Sequence, residues 1–150
     1  MYPDPRVAKL VTEHFIPARL HVREQAADFQ RFGDLYGAHW TPTILELDPD
    51  GTEQHRVEGF LEADDLLAQL TLGLGKSAFK AKRWQDAERA FREVVDRYPQ
   101  SDAAAEGLYW AGVSRYRASG DPSALGATAA AFGTQYTDSI WAKKASIWKA

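Results

Sequence analysis

Thr43-Ile-Leu-Glu-Leu47, followed by Asp48-Pro-Asp-Gly51, carries the clearest structural signal in the chain. The first five residues are rich in the β-branched and large apolar side chains that strands favour. In the next four, proline and glycine stand where a tight turn uses them, because proline fixes φ and glycine accepts a positive φ. A second strand over about Glu53–Val57 follows, and Gly59 closes the motif. The sequence therefore predicts a β-hairpin.

Helices are predicted on both sides of this hairpin. Apolar residues recur at helical spacing over residues 7–15, where Asp4-Pro5 supplies an N-cap and a first helical proline. Aromatic residues over 29–36 mark a second helix, which Gly37 is expected to end. Between these helices, residues 16–22 alternate apolar and polar side chains, which predicts a half-buried strand. A leucine-rich stripe over residues 63–74 predicts the next helix.

The second half of the chain is predicted to be helical throughout. Five of the seven prolines lie in the first third, whereas four of the five tryptophans follow residue 80, so two architectures meet near residues 70–75. Ser101 or Asp102 is expected to cap a helix that is apolar on two sides and therefore packed between neighbours. The other helices are predicted from an apolar stripe over 87–98 and from two segments after a Gly-Asp-Pro break, over 125–136 and 140–148.

The sequence contains an internal repeat at a spacing of 38 residues, because Tyr98-Pro-Gln-Ser101 is similar to Tyr136-Thr-Asp-Ser139. Such periods in a helical region are typical of stacked helix pairs. Leu74-Gly75, followed by Ala87, Phe91 and Pro99, resembles the tetratricopeptide pattern, and a plain helical bundle is the alternative. The resemblance implies a concave surface for a protein or peptide partner. Its candidate contact residues are Lys76, Phe79, Arg83 and Tyr109. Alternatively, the helical half mainly covers and stabilises the first half.

The first half resembles the later part of a thioredoxin fold, over roughly residues 2–72. Trp40-Thr-Pro-Thr43 stands where thioredoxins have their cis-proline loop, and the hairpin and its closing Gly59 follow in the family's order. The resemblance implies a cis Thr41–Pro42 bond and a peptide-binding edge formed by Trp40, Thr41 and Pro42. For Trp40 alone, the favoured interpretation is an ordinary core aromatic.

The expected fold is therefore an incomplete α/β thioredoxin-like domain over residues 1–72, lacking the N-terminal strands and helix. An all-α tetratricopeptide-like region of helical hairpins follows over residues 73–150. The chain has no cysteine, so the family's Cys-x-x-Cys motif is absent.

The strand that normally separates residues 16–22 from residues 43–47 is absent as well, which leaves two strand edges without their usual partner. Three explanations are open. In the favoured explanation, the reading frame starts too late and a longer parent carries the dithiol. Otherwise the remaining strands close into a three-stranded sheet, or a second copy supplies the edge in a homodimer.

Composition excludes several other classes. The formal charge of −3 argues against a dedicated nucleic-acid binder, and no stretch approaches a membrane span. Without a signal-peptide pattern at Met1, the expected location is the cytoplasm. The four histidines are never three or four residues apart, so no metal is expected, and no cofactor is expected either. Gly75-Lys-Ser77 lacks the earlier glycine of a phosphate-binding loop.

Two functions from different classes remain. The first is protein–protein interaction without redox catalysis and without catalytic residues, which includes an adaptor or chaperone-like role. The second is a truncated thiol–disulfide oxidoreductase of the thioredoxin family whose Cys-x-x-Cys lies upstream of Met1. Thiol–disulfide exchange requires an attacking thiolate, and these 150 residues contain none.

Overall fold

A computed structural model describes residues 3–149, which divide into two compact units, one up to Leu67 and one from Ala68 onward. Helix α3 runs unbroken through the expected domain boundary between residues 72 and 73, so that boundary stays a prediction. The elements in chain order are α1 (Pro5–His14), α2 (Ala26–Tyr36), β1 (Thr43–Leu47), β2 (Glu53–Glu58), α3 (Ala63–Lys80), α4 (Trp84–Arg97), α5 (Ala104–Ser119), α6 (Ser123–Ala131), α7 (Ile140–Ala145) and a 3₁₀ turn (Ser146–Trp148).

The predicted hairpin is confirmed. Strands β1 and β2 pair antiparallel, with Thr43 opposite Glu58, and the register shifts between Glu46 and Leu47. In the turn, the amide of Gly51 donates to the carbonyl of Asp48 at 2.8 Å. The φ of Gly51 is 83°, a value that glycine adopts without the steric penalty of a Cβ atom.

The predicted ends of the first two helices are also confirmed. The Asp4 carboxylate accepts from the amide of Arg6 at 2.8 Å, and Pro5 is the first helical residue of α1. Helix α2 ends at Gly37, whose φ of 62° places it in the left-handed region. Both signals are local, because each depends on a few consecutive residues.

The predicted strand over residues 16–22 is wrong. Ile16 is fully exposed, and within residues 3–149 the sheet contains only β1 and β2, so the three-stranded alternative is wrong too. The chain turns over residues 22–25, where the carbonyl of His21 accepts from the amide of Gln25 at 2.9 Å. A strand needs a neighbouring ladder, and alternation by itself does not supply one.

In the second unit, α5 packs against α4 on one side and against α6 and α7 on the other, as its apolar surface predicts. Close approaches occur at glycines. A Cβ atom on Gly75 would lie 2.6 Å from the ring of Phe91, and one on Gly112 would lie 1.9 Å from Oγ1 of Thr128. Small residues therefore set the helix spacing in this unit.

The end points of three helices differ from the predictions. The N-cap residue of α5 is Ala103, and the hydroxyl of Ser101 instead donates to the carbonyl of Tyr98 at 2.8 Å. Helix α6 ends at Ala131, where the amide of Gly133 bonds three residues back and begins a turn. The last helix tightens into the 3₁₀ turn after Ala145.

The internal repeat in the sequence corresponds to two turns that share one side-chain hydrogen bond, although the φ of Tyr98 is −129° and that of Tyr136 is 53°. The hydroxyl of Ser139 donates to the carbonyl of Tyr136 at 2.7 Å, as Ser101 does to Tyr98. The hydroxyl of Tyr136 also donates to the carbonyl of Pro99 at 2.9 Å, which joins the second turn to the first. The repeat of 38 residues is therefore visible in the structure as two turns with the same serine hydrogen bond.

We expect Gly112→Ala to lower the free energy of unfolding by about 1–3 kcal/mol, because the added methyl overlaps Thr128. The matched control is Gly126→Ala, where the nearest atom to the new Cβ is the carbonyl oxygen of Trp148 at 4.0 Å. That substitution should raise the free energy of unfolding by about 0.5–1 kcal/mol, since alanine favours helix over glycine. Urea unfolding followed by circular dichroism measures both, and equal effects would contradict the packing argument.

Candidate functional site

The loop that leads into β1 has the cis Thr41–Pro42 bond that the sequence predicts. The favoured interpretation of Trp40 as a core aromatic is wrong, because its side chain is 71% exposed. Two hydrogen bonds hold the loop in place. The hydroxyl of Thr43 donates to the carbonyl of Trp40 at 2.7 Å, and the amide of Gly59 donates to the carbonyl of Pro42 at 2.8 Å.

Arg56, which the sequence analysis did not single out, connects the hairpin to α2 by hydrogen bonds. Its guanidinium donates to the carbonyls of Tyr36 and Gly37, the last of α2 and its C-cap. The same group forms ion pairs with Glu53 at 2.8 Å and with Glu58 at 2.9 Å. A cation at a helix C-terminus is favourable, because the last carbonyls carry partial negative charge. The signal in the sequence is an arginine between two glutamates on one strand.

A second contact fixes the opposite end of the hairpin. The hydroxyl of Tyr36 donates to the carbonyl of Gly51 in the turn at 2.9 Å. Together with the bonds from Arg56 in β2, this bond holds the end of α2 against the hairpin. Since the loop containing Trp40 begins right after α2, its position follows from these contacts.

The charges around Arg56 are electrostatically coupled. Hydrogen bonds from Arg56 lower the pKa of Glu53, and the two carboxylates raise the pKa of Arg56. In α1, hydrogen bonds from Arg6 likewise lower the pKa of Asp4. Each arrangement favours the ionised carboxylate over its protonated form.

The four candidate contact residues of the helical region do not form one polar surface. Lys76 is paired with Glu106 at 2.9 Å, and Arg83 is paired with Asp86 at 3.2 Å. The rings of Phe79 and Tyr109 instead both contact Trp110, with centroid distances of 5.2 and 5.4 Å. Phe79 and Tyr109 therefore have a packing role.

These contacts belong to an aromatic cluster that spans α3, α4, α5 and the end of the chain. Its members are Phe79, Trp84, Tyr109, Trp110, Trp141 and Trp148. Cations lie over two of the rings, Arg117 at 4.8 Å from the ring centroid of Trp84 and Lys144 at 4.0 Å from that of Trp141. The bias of tryptophan toward the second half was the sequence signal for this cluster.

Residues 3–149 contain no group of three histidine, aspartate or glutamate side chains arranged to hold a metal ion. In the same part of the chain, no helix combines the length and the apolar character that a membrane crossing requires.

Comparison with protein families gives two matches, which together cover residues 1–101. Residues 1–73 match a thioredoxin-like domain. Residues 62–101 match a tetratricopeptide repeat, so the two matches overlap in α3. The chain thus carries a thioredoxin-like domain followed by a tetratricopeptide repeat. No curated protein matches the chain.

We expect the stability of the chain to fall as the pH drops below about 4.5, the ordinary pKa of Glu53, toward its lower folded pKa. Because the pKa of this carboxyl is lower in the folded state, its contribution is complete above the unfolded value and is lost on protonation. Arg56→Gln should reduce the decrease in the urea midpoint between pH 7 and pH 3. Arg31→Gln, at an exposed pair with Asp28, is the control and should leave the decrease unchanged. An unchanged pH profile in Arg56→Gln would contradict the assignment.

Proposed function

We propose that this chain binds an extended peptide segment of a protein partner at the loop Trp40-Thr41-Pro42, without redox catalysis. The observation that carries the proposal is the exposure of Trp40, whose side chain is 71% accessible in a loop fixed at Thr43 and Gly59. The thioredoxin-like match supports the same location, since thioredoxins present this loop to bound peptides.

The physical case rests on the size of the side chain and the rigidity of its support. Tryptophan buries a large apolar area and also offers an N–H donor, so it is among the residues that dominate binding energies. The bonds to Trp40 and Pro42 order the loop before a partner arrives. An ordered loop loses less conformational entropy on binding.

The tetratricopeptide repeat supports an interaction role in general terms, because such repeats stack helices into binding surfaces. Of the four candidate contact residues in the helical region, we retain Arg83 and Lys76 as partner contacts. The side chain of Arg83 is 57% exposed and that of Lys76 is 29% exposed. Phe79 and Tyr109 act indirectly, by holding the aromatic cluster together.

Thiol–disulfide exchange, the activity of thioredoxins that carry the dithiol, requires a thiolate to attack the disulfide. The chain has no cysteine, so its 150 residues cannot supply that thiolate.

A cytoplasmic location and an adaptor or chaperone-like role remain part of the proposal.

We expect Trp40→Ala to weaken peptide binding about tenfold or more, as loss of a central aromatic anchor does. The probe is an array of short overlapping peptides from a reduced, carboxymethylated protein, incubated with the labelled full chain. Leu35→Ala is the matched control, because Leu35 is 67% exposed in the same unit but lies on α2. Equal binding by the Trp40→Ala variant and the unmodified chain would contradict the proposal.

We also expect the chain to leave the rate of insulin reduction by dithiothreitol at the level of buffer alone. The physical reason is the missing thiolate, since the reaction proceeds through a mixed disulfide with a protein cysteine. A thioredoxin with an intact dithiol serves as the positive control for the turbidity assay. Turnover above buffer would show that the chain catalyses the exchange by other means.

A further inference from the structure

The turn between α3 and α4, residues 81–83, lies in a stretch of concentrated positive charge. Residues 66–85 contain no aspartate or glutamate. Four cations lie in the same stretch, Lys76, Lys80, Lys82 and Arg83. From Ala68 onward, the second unit has twelve lysine and arginine residues against eight aspartate and glutamate residues. An anionic partner is therefore attracted to this unit.

Two residues of this turn are poor choices for stability. Lys82 has a φ of 60°, in the left-handed region where glycine is the usual residue after a helix. Arg83 is the N-cap residue of α4, but its side chain makes no capping hydrogen bond, and a cation there opposes the helix dipole. Lys82→Gly and Arg83→Ser would both suit the backbone better. Folding therefore does not explain these two cations, which favours a role in binding.

The backbone that carries these two cations is ordered. The amides of Lys82 and Arg83 each donate to a carbonyl in the last turn of α3 at 2.9 Å, and both side chains are exposed. The guanidinium of Arg83 shares the carboxylate of Asp86 with Arg89, at 3.2 and 3.5 Å. One carboxylate thus serves two guanidinium groups. Binding a further anion at this turn requires no ordering of the backbone.

A third cation comes from the end of α5. Cζ of Arg117 lies 4.8 Å from the ring centroid of Trp84, the first residue of α4. Neither Lys82 nor Arg117 forms an ion pair with a carboxylate in the part of the chain that the structure describes. Stacking on a ring uses the face of a guanidinium, whereas its N–H groups lie at the edge. Arg117 can therefore bind a carboxylate through two parallel hydrogen bonds while it stays on Trp84.

The aromatic cluster supplies an apolar surface beside these cations. The ring of Phe79 contacts those of Trp84 and Trp110, with centroid distances of 4.9 and 5.2 Å. All three side chains are partly exposed. Aromatic rings of this size provide much of the binding energy at protein interfaces. An apolar side chain of a partner would cover Trp84 while neighbouring carboxylates reach the cations.

We propose that a basic surface formed by Lys82, Arg83, Trp84 and Arg117 binds an acidic segment of a protein partner, a run of aspartate and glutamate with large apolar residues between them. This inference rests on the proposed function at Arg83 and specifies the chemistry of the partner there. A nucleic acid fits less well, because the chain has a formal charge of −3. Its first unit, up to Leu67, has thirteen acidic residues against six basic ones.

The test uses the full chain and two capped heptapeptides. DELDELD has carboxylates separated by leucines, and NQLNQLN replaces each carboxylate by its amide, which keeps the shape and removes the charge. We expect DELDELD to bind at least about tenfold more tightly than NQLNQLN, and its dissociation constant should rise with salt. Isothermal titration calorimetry measures both peptides. Equal affinity for the two would overturn the proposal.

Arg117→Gln should weaken DELDELD binding at least about fivefold, because it removes the guanidinium that binds a carboxylate through two hydrogen bonds. The matched control is Arg97→Gln, which removes the same charge at the other end of α4, where Arg97 pairs with Glu93 at 2.8 Å. This control should change the dissociation constant less than about twofold. Both arginines are exposed, so both variants should fold. Equal effects of the two substitutions would overturn the proposal.

Lys82→Gly separates binding from stability. It should raise the urea midpoint, because glycine adopts the left-handed conformation without the penalty of a Cβ atom. It should nevertheless weaken DELDELD binding at least about threefold, because it removes a cation. Lys82→Arg keeps the charge and should bind within about twofold of the unmodified chain. Unchanged or tighter binding by Lys82→Gly would show a purely structural residue and overturn the proposal.

The remaining outcomes distinguish this inference from the proposed loop. Trp40→Ala should leave DELDELD binding unchanged, and the peptide should shift the indole N–H resonance of Trp84 more than that of Trp40. Loss of DELDELD binding in Trp40→Ala would place this peptide at the loop and overturn the inference alone. Absence of DELDELD binding would also overturn the inference alone, because the peptide array tests the loop separately.

Two further measurements test other occupants of the basic surface. Tighter binding of a short oligothymidylate than of DELDELD would assign the surface to a nucleic acid. Sedimentation as a dimer that Arg117→Gln dissociates would assign it to the acidic unit of a second copy. Either result would overturn the proposal.

Discussion

The position of the candidate loop depends on the guanidinium group of Arg56. This one group satisfies the carbonyl end of α2 and also pairs with the carboxylates of Glu53 and Glu58. Before residue 61, Val7 and Val57 are the only apolar residues that the described part of the chain buries. Directional bonds to charged groups therefore do the positioning that a hydrophobic core does in most domains.

The second unit is held together by close apolar packing instead of by bonds to charged groups. Its helices approach closely because glycine or alanine stands at the contacts, as at Gly75 beside the ring of Phe91. Phe91 itself is fully buried, and much of the core is made of alanine and leucine side chains. Dispersion contacts between closely packed atoms stabilise this unit, so the loss or gain of one methyl group changes its stability.

The sequence predicted well the features that depend on a few neighbouring residues. The hairpin turn at Gly51, the N-cap at Asp4 and the end of α2 at Gly37 are of this kind. The predicted strand over residues 16–22 failed, because a strand depends on a partner that alternation does not specify. The exposure of Trp40 was also missed, since the size and apolar character of a side chain favour burial without determining it.

For the candidate site, resemblance identified the loop and its cis bond, whereas the supporting contacts came from the structure. Nothing in the spacing of Arg56 and Tyr36 shows that they meet, because the two residues lie on different elements. In the helical region, sequence reasoning selected Phe79 and Tyr109 for a surface, yet both join an aromatic cluster. Which face of a helix is covered depends on neighbours that are distant in the sequence.

The paired turns at Tyr98 and Tyr136 have a consequence for how the chain tolerates changes in length. The hydrogen bond from Tyr136 to Pro99 closes a loop that contains α5 and α6, so the number of residues between these turns is fixed by geometry. An inserted or deleted residue within either helix would rotate the following helix by about 100° and move Tyr136 away from its acceptor. Evolutionary insertions should therefore accumulate outside this segment.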